Sequence, residues 1–256
     1  MARSASEPLS EGDPRRSAAT PEASGSLIAA AERLFAARGI DGVSLREINR
    51  EAQQRNTTSL QYHFGDREGL LRAILAKHGR EIDARRNALL DQYDANRTPD
   101  IRVLASAFIL PLVAKLHDPD GGRAYLRIAA ELVNRSNRRI EPTEPSILND
   151  PGGRNPRDSI TRWSSLVGPL LPPRVIGPPL HRRYAAMRFA HIELGRRACE
   201  GSHQSDRLFT SHLVDLLVSV LVTDVSDETE ALLQEREQQR AARVARRAAA
   251  AAAAKP

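Results

Sequence analysis

NTTSLQYHFGDREGLL, residues 56–71, sets the architecture. A short, small and polar segment sits between two stretches with strong apolar patterning. Helices below about 12–15 residues are marginal alone in water, so this one must be held by its neighbours. Leu60 and Phe64 lie at i and i+4 and point inward. That leaves Thr57, Thr58, Gln61 and Tyr62 on the outer, N-terminal side, where they must face a partner. Asn56 is a good N-cap, Gly65 ends the helix, and Asp66 caps the next one, whose Leu70, Leu71, Ile74 and Leu75 are again apolar.

Upstream, Leu27, Ala31, Leu34 and Phe35 fall on one face of a helix that stops at Gly39. After the link IDGV, Ser44 and Glu47 have the spacing of a capping box, and Leu45, Ile48 and Ala52 form the apolar face of a short second helix. Three short helices are thus clamped by a long fourth. A helix displaying Gln and Thr fits the major groove, where Gln reads adenine bidentately and the Thr methyl meets the thymine methyl. Helix N-termini capped by Ser44 and Asp66 suit phosphates. Periodicity alone also allows a helical subdomain with a solvated polar face.

The order of these features resembles the TetR family of bacterial one-component repressors. The likeness is carried by LIAAAERLFAARGIDGVSLREINREA, residues 27–52, and NTTSLQYHFGDREGLLRAIL, residues 56–75. It implies an all-α protein: a three-helix helix-turn-helix DNA-binding domain, then a larger helical domain for ligand binding and dimerisation. By this resemblance Ser44, Arg46, Tyr62, His63 and Arg67 fall where the family touches the DNA backbone. Thr57, Thr58, Ser59 and Gln61 fall where bases are read. The implied partners are a double-stranded DNA operator, a second copy of the chain and a small-molecule effector. Two departures stand out. The turn between helices two and three is Gln53-Gln54-Arg55 where the family has a small residue, a glycine and an apolar one, so Gln54 is expected in the left-handed conformation, while Arg55 reaches either a phosphate or solvent. The family's common tyrosine is replaced by Gln61, which implies altered base preference.

Composition agrees with this reading. Hydrophobic residues at 41% and charged residues at 27% are those of an ordinary globular chain. The net charge of +6 and a pI near 10.0 suit an anionic partner. One cysteine excludes an internal disulfide and fits a reducing cytoplasm. The first residues lack a signal-peptide core and no run of about 18 apolar residues occurs, so a cytoplasmic protein without a membrane partner is expected. Four segments follow: a disordered arm at 1–24, the DNA-binding domain at 25–70, the ligand-binding and dimerisation domain at 71–225, and a basic Ala-rich tail at 226–256. A Pro-, Gly- and Asn-rich loop is expected over 135–158. In the tail, Arg236, Arg240, Arg243 and Arg247 form a basic stripe if helical, a source of non-specific DNA affinity or simply a solvated helix end.

The larger domain carries a helix with Pro111 inside it, where a kink is expected. Leu180, Tyr184, Met187, His191, Leu194 and Ala198 form one stripe, and Phe209, Leu213, Leu216, Leu217, Val220 and Leu221 make the next segment apolar on several sides. In the resembling family the last two core helices build a four-helix dimer interface, and segments 180–200 and 205–222 are the candidates. The same residues also read as one internal core. Phe108, Leu112, Tyr125, Trp163, Tyr184, Met187 and His191 are candidates for the effector cavity, each also readable as plain core; His191 is read first as a satisfied core histidine. With aromatics at 4%, the cavity would be mainly aliphatic, favouring an apolar or acyl-type ligand.

Catalytic signals are missing. The seven histidines include no His-Glu-x-x-His and no paired ligand spacing, and no phosphate loop or nucleophile elbow occurs. No metal, cofactor or enzymatic activity is expected. The leading reading is a transcriptional regulator, acting as a repressor released by a small ligand. The second is a DNA-binding regulator gated by a protein partner instead.

Overall fold

Two helix starts anticipated from capping chemistry are capped in that way. In the computed structural model, which describes residues 21–54, 59–96, 99–135, 158–200 and 206–253, Ser44 closes a capping box with Glu47. The Glu47 amide donates to Ser44 Oγ at 3.3 Å and the Ser44 amide to Glu47 Oε2 at 2.8 Å. Asp66 Oδ1 accepts the Gly69 amide at 2.7 Å. Gly65, with φ of +75°, closes the preceding helix by donating to the Gln61 carbonyl.

Ten α-helices result among the described residues: α1 (Pro21–Arg38), α2 (Leu45–Glu51), α3 (Ser59–Phe64), α4 (Arg67–Asn96), α5 (Ile101–Val113), α6 (Gly122–Arg135), α7 (Ser159–Val167), α8 (Arg182–Cys199), α9 (Asp206–Val222) and α10 (Asp227–Ala253). No strand occurs among them. The chain is all-α. The expected arm to residue 24 is shortened, because α1 already begins at Pro21, with Ser26 Oγ donating to the Ala23 carbonyl. Residues 1–20, the Asn56 cap, and residues 136–157 of the expected loop lie outside the described residues. The Ala-rich tail stays helical to Ala253, as alanine's high helix propensity favours.

Buried apolar side chains gather in two clusters. The first joins Leu27, Phe35, Ile40, Val43, Ile48 and Leu60 to Leu70, Leu71 and Ile74 at the start of α4. The second is built by the rest of α4 (Leu75, Ile82, Leu90) with α5 to α9. One 30-residue helix therefore belongs to both. The turn after α2 corrects one expectation: Gln53, not Gln54, takes the left-handed conformation, with φ of 55°. Gln54 is occupied otherwise, its Nε2 donating to Ser26 Oγ at 3.0 Å and to the Ala52 carbonyl at 3.3 Å.

The clusters are tied by polar groups as well. Glu131 on α6 accepts the Ile40 amide at 3.1 and 3.0 Å. Glu32 on α1, nearly fully buried, accepts from Lys77 Nζ at 3.0 Å and lies 2.9 Å from His78 Nε2. Pro111 remains inside α5, which runs on to Val113 and tightens into a 3-10 turn at Ala114–Leu116.

The α8 stripe turns into its own bundle. Met187, His191, Leu194 and Ala198 are buried, and so are Leu213, Leu217 and Leu221 on α9. These residues are internal core. Phe189, Phe209 and Val220 stay only partly buried, as do Ile192 and Leu216.

Candidate nucleic-acid interface and effector region

Helix α3 is positioned by buried Leu60 and by half-buried Phe64, both packed in the first cluster. Gln61 is exposed and Tyr62 is 69% exposed. The outer face anticipated for this six-residue helix is therefore presented to solvent by its own register. Thr57 and Thr58 lie outside the described residues. Ser59, set by the resemblance among the base readers, is 1% exposed. It falls one residue before Leu60, where the first turn of α3 already packs on its neighbours. His63 is half-buried, its ring edge-on to Tyr62 at a centroid separation of 5.6 Å, with Nε2 buried.

Arg67, set by the resemblance at the DNA backbone, has an internal partner. It donates through Nη1 to the Ile40 carbonyl and is half-buried. Both backbone polar groups of Ile40 are thus engaged, its amide by Glu131 and its carbonyl by Arg67. Arg67→Ala is expected to cost stability, about 1.5–3 kcal/mol for a hydrogen bond from a charged donor, and to leave the salt slope of DNA binding unchanged. A melting curve with DNA titrations at several salt concentrations checks this. A slope lower by about one, with stability intact, would return Arg67 to the phosphates.

On α2, Ser44 is exposed, but its Oγ lies 2.8 Å from Glu47 Oε2. The Ser44 backbone and side chain, with Arg38 beside them, hold the Glu47 carboxyl down at about 2. Arg46 is exposed, and so is Arg50 one turn on, a residue the sequence reading passed over. Arg33 and Arg38 are neutralised by Glu51 and Glu47, whereas no ion pair holds Arg46 or Arg50 among the described residues. The signal was the i, i+4 spacing of Arg46 and Arg50 on the face away from Ile48.

Of the effector candidates, Phe108, Leu112, Tyr125, Trp163, Met187 and His191 are buried in the second cluster, while Tyr184 is half-buried beside His181. Phe108 brings several together: its ring centroid is 4.9 Å from that of Trp163 and 5.9 Å from that of His191. Trp163 Nε1 donates to the Leu104 carbonyl at 2.8 Å. His191 Nδ1 lies 2.8 Å from the Met187 carbonyl, and burial lowers its pKa. Tyr125 instead stacks on His78 at 4.7 Å, its hydroxyl pushed up to about 12 by burial.

The group missed here is Arg86. It is buried, with its guanidinium carbon 5.2 Å from the Phe108 ring centroid. The register could have revealed it, because Arg86 falls four residues after Ile82 and four before Leu90, inside the apolar stripe of α4. Elsewhere, a depression of about 250 Å³ opens between α1, α6 and α8 near Gly39, Glu131 and Cys199. Among the described residues no His, Cys, Asp or Glu side chains cluster as metal ligands, and no single helix is long and apolar enough to cross a membrane.

Residues 27–74 match the family model of bacterial regulatory proteins of the tetR family. No curated protein matches the chain. Among solved structures, a bacterial regulatory protein in the tetR family from Rhodococcus RHA1 is 18% identical, with a TM-score of 0.51 over 80% of this chain and 100% of its own. A HlyIIR variant is 16% identical, with a TM-score of 0.46 over 80% and 99%. The TetR family transcriptional regulator PfmR from Thermus thermophilus is 13% identical, with a TM-score of 0.43 over 78% and 99%. The Rhodococcus likeness bears on the fold alone. The family likeness is carried by the segment from α1 to the start of α4: residues 27–74 are similar to the tetR family of bacterial regulatory proteins.

Proposed function

We propose that the chain is a homodimeric, sequence-specific operator-binding repressor, released from DNA when an apolar, acyl-type ligand enters the helical bundle of α4 to α9. One observation carries the DNA-reading part: Gln61 and Tyr62 are exposed on a short helix whose Leu60 is sealed in the core beneath. Arg46 and Arg50 on α2, the helix that crosses the backbone in this motif, supply cations for phosphates. We take the domain limits at about residues 70 and 225; the two apolar clusters support this division, although the first also takes in Leu71, Ile74 and Ile128.

Release needs a path from bundle to reading helix, and α4 supplies it. Its first turns form the floor on which α3 rests, and its later turns line the Phe108 and Trp163 region through Arg86. A ligand that prefers a shifted α4 lowers the population of the DNA-fitting dimer by its differential affinity for the two states. The second reading, gating by a protein partner, draws on α10, which leaves Leu232 and Val244 exposed.

Gln61→Ala tests the reading. Loss of a bidentate base contact is expected to cost about 1–3 kcal/mol and to relax preference at one base position per half-site. Paired titrations of a selected operator fragment and a scrambled one measure it. Equal loss on both fragments would remove Gln61 from the bases.

A further inference from the structure

Arg86 is an interior charge that takes no part in the DNA face. It is 3% exposed, yet its Nε has no hydrogen-bond partner. Nη1 donates to Ser159 Oγ at 2.9 Å and lies 3.7 Å from Asp83 Oδ1. Asp83 is a poor counter-ion, with its side chain 47% exposed and its carboxylate engaged by the Ser159 hydroxyl. Burial pulls the guanidinium down to about 10, so it remains charged at neutral pH. A charge held inside a bundle with only the half-exposed Asp83 at 3.7 Å and the more distant field of Asp158 against it is costly, and an apolar residue of similar volume would fill the place as well or better. A guanidinium is a planar fork of five donors whose natural complement is a carboxylate bound bidentately. Here the fork stands over the Phe108 ring, with the Trp163 ring 4.9 Å from that of Phe108 and Leu104, Leu112 and Val167 buried in the same cluster.

We propose that Arg86 is the receptor for the carboxylate of an aliphatic monocarboxylic acid, whose hydrocarbon chain lies along Phe108 and Trp163. This rests on reading the bundle as the effector domain, and it replaces a purely apolar ligand with an anionic one. The way in is the seam between α4 and α7. At its surface the seam is held by the Asp83–Ser159 hydrogen bond and by Arg162, which pairs with Asp91 at 2.7 Å and Asp94 at 2.6 Å. An entering carboxylate takes the place of Ser159 and Asp83 at the guanidinium and engages Nε. That parts α7 from α4, the helix on which α3 is seated.

The single tryptophan, Trp163, is the reporter. The full chain is titrated with octanoate, methyl octanoate and acetate while Trp163 fluorescence is followed, and the same probes are added to the complex with a selected operator fragment. Octanoate is expected to bind saturably and at least about 10-fold tighter than its methyl ester, since the ester cannot accept as a charged bidentate partner. Acetate, lacking the chain, is expected to give no saturable change. Arg86→Met should bind acid and ester alike and still bind DNA, whereas Arg86→Lys should keep part of the preference. Equal binding of acid and ester by the native chain overturns the Arg86 assignment and leaves the apolar-effector reading standing. An undiminished acid preference in Arg86→Met also overturns it. Silence with every probe, in fluorescence and in DNA release, overturns both. If Arg86→Met fails to fold, the acid-to-ester ratio of the native chain and of Arg86→Lys decides.

Discussion

Leu217→Glu is expected to leave no folded protein, while Leu216→Glu, one residue away, leaves a folded monomer. Leu217 is 0% exposed and packs with Leu213, Val214 and Leu221 in the core that α9 shares with α5 and α8. A carboxylate there loses the transfer and packing energy of the leucine and adds the desolvation of a charge. The sum exceeds about 5 kcal/mol, comparable with the whole stability of a domain. Leu216 lies about a hundred degrees round the helix, half-buried on the flank shared with Phe209 and Val220. With Phe189 and Ile192 of α8 this is the apolar face we propose for pairing. An unpaired charge in the centre of such a face prevents association without touching the protomer's interior. Circular dichroism separates the two variants, and sedimentation of Leu216→Glu at micromolar concentration tests the pairing. A folded dimer in that variant would place the interface elsewhere. Sequence reading treats the two leucines alike as interface, and burial separates them.

Glu32→Ala should cost about 3–5 kcal/mol, the effect of removing one partner from a buried charged network. The buried Glu32 carboxylate is shared by Lys77 and by His78, which is itself buried. Without it, His78 Nε2 faces α1 with no acceptor, and Lys77 keeps only Asp120, 2.7 Å away. The packing around Glu32 leaves nothing to spare. Gly121, with φ of +84°, lies so close that a Cβ there would stand 2.2 Å from Glu32 Oε2. The network bolts α1, which packs with α2 and α3, to α4 and to the turn before α6. The variant should therefore melt lower and, on the function proposed above, also lose part of the coupling between effector and DNA. Glu32→Gln, which keeps an acceptor in place, should lose less. Thermal melting of both variants, with DNA release by ligand, measures the two effects. An Ala variant as stable as the native chain would make the network dispensable.

Local chemistry made the amino-terminal third legible. Caps at Ser44 and Asp66, the stop at Gly65 and the i, i+4 pair of Leu60 and Phe64 act within one turn, so residue types and spacing suffice to place them. Helix α3 and its exposed Gln61 follow from those few residues. The all-α class follows from helical periodicity along the rest of the chain. What the sequence could not contain was the choice between equivalent faces. Ser59 turned inward, Arg67 bound the carbonyl of a residue 27 positions earlier, and Glu131 reached the Ile40 amide across 91 positions. The α8 stripe became internal core, and Arg86 was enclosed beside Phe108. Each outcome depends on which helix packs opposite and at what angle. Where helices begin, end and turn their apolar sides was written in the order of residues, because those are contacts within a turn. Which side chains meet a distant partner was left to the packing of the helices. Closing long loops brings together groups whose spacing along the chain carries no record of their approach.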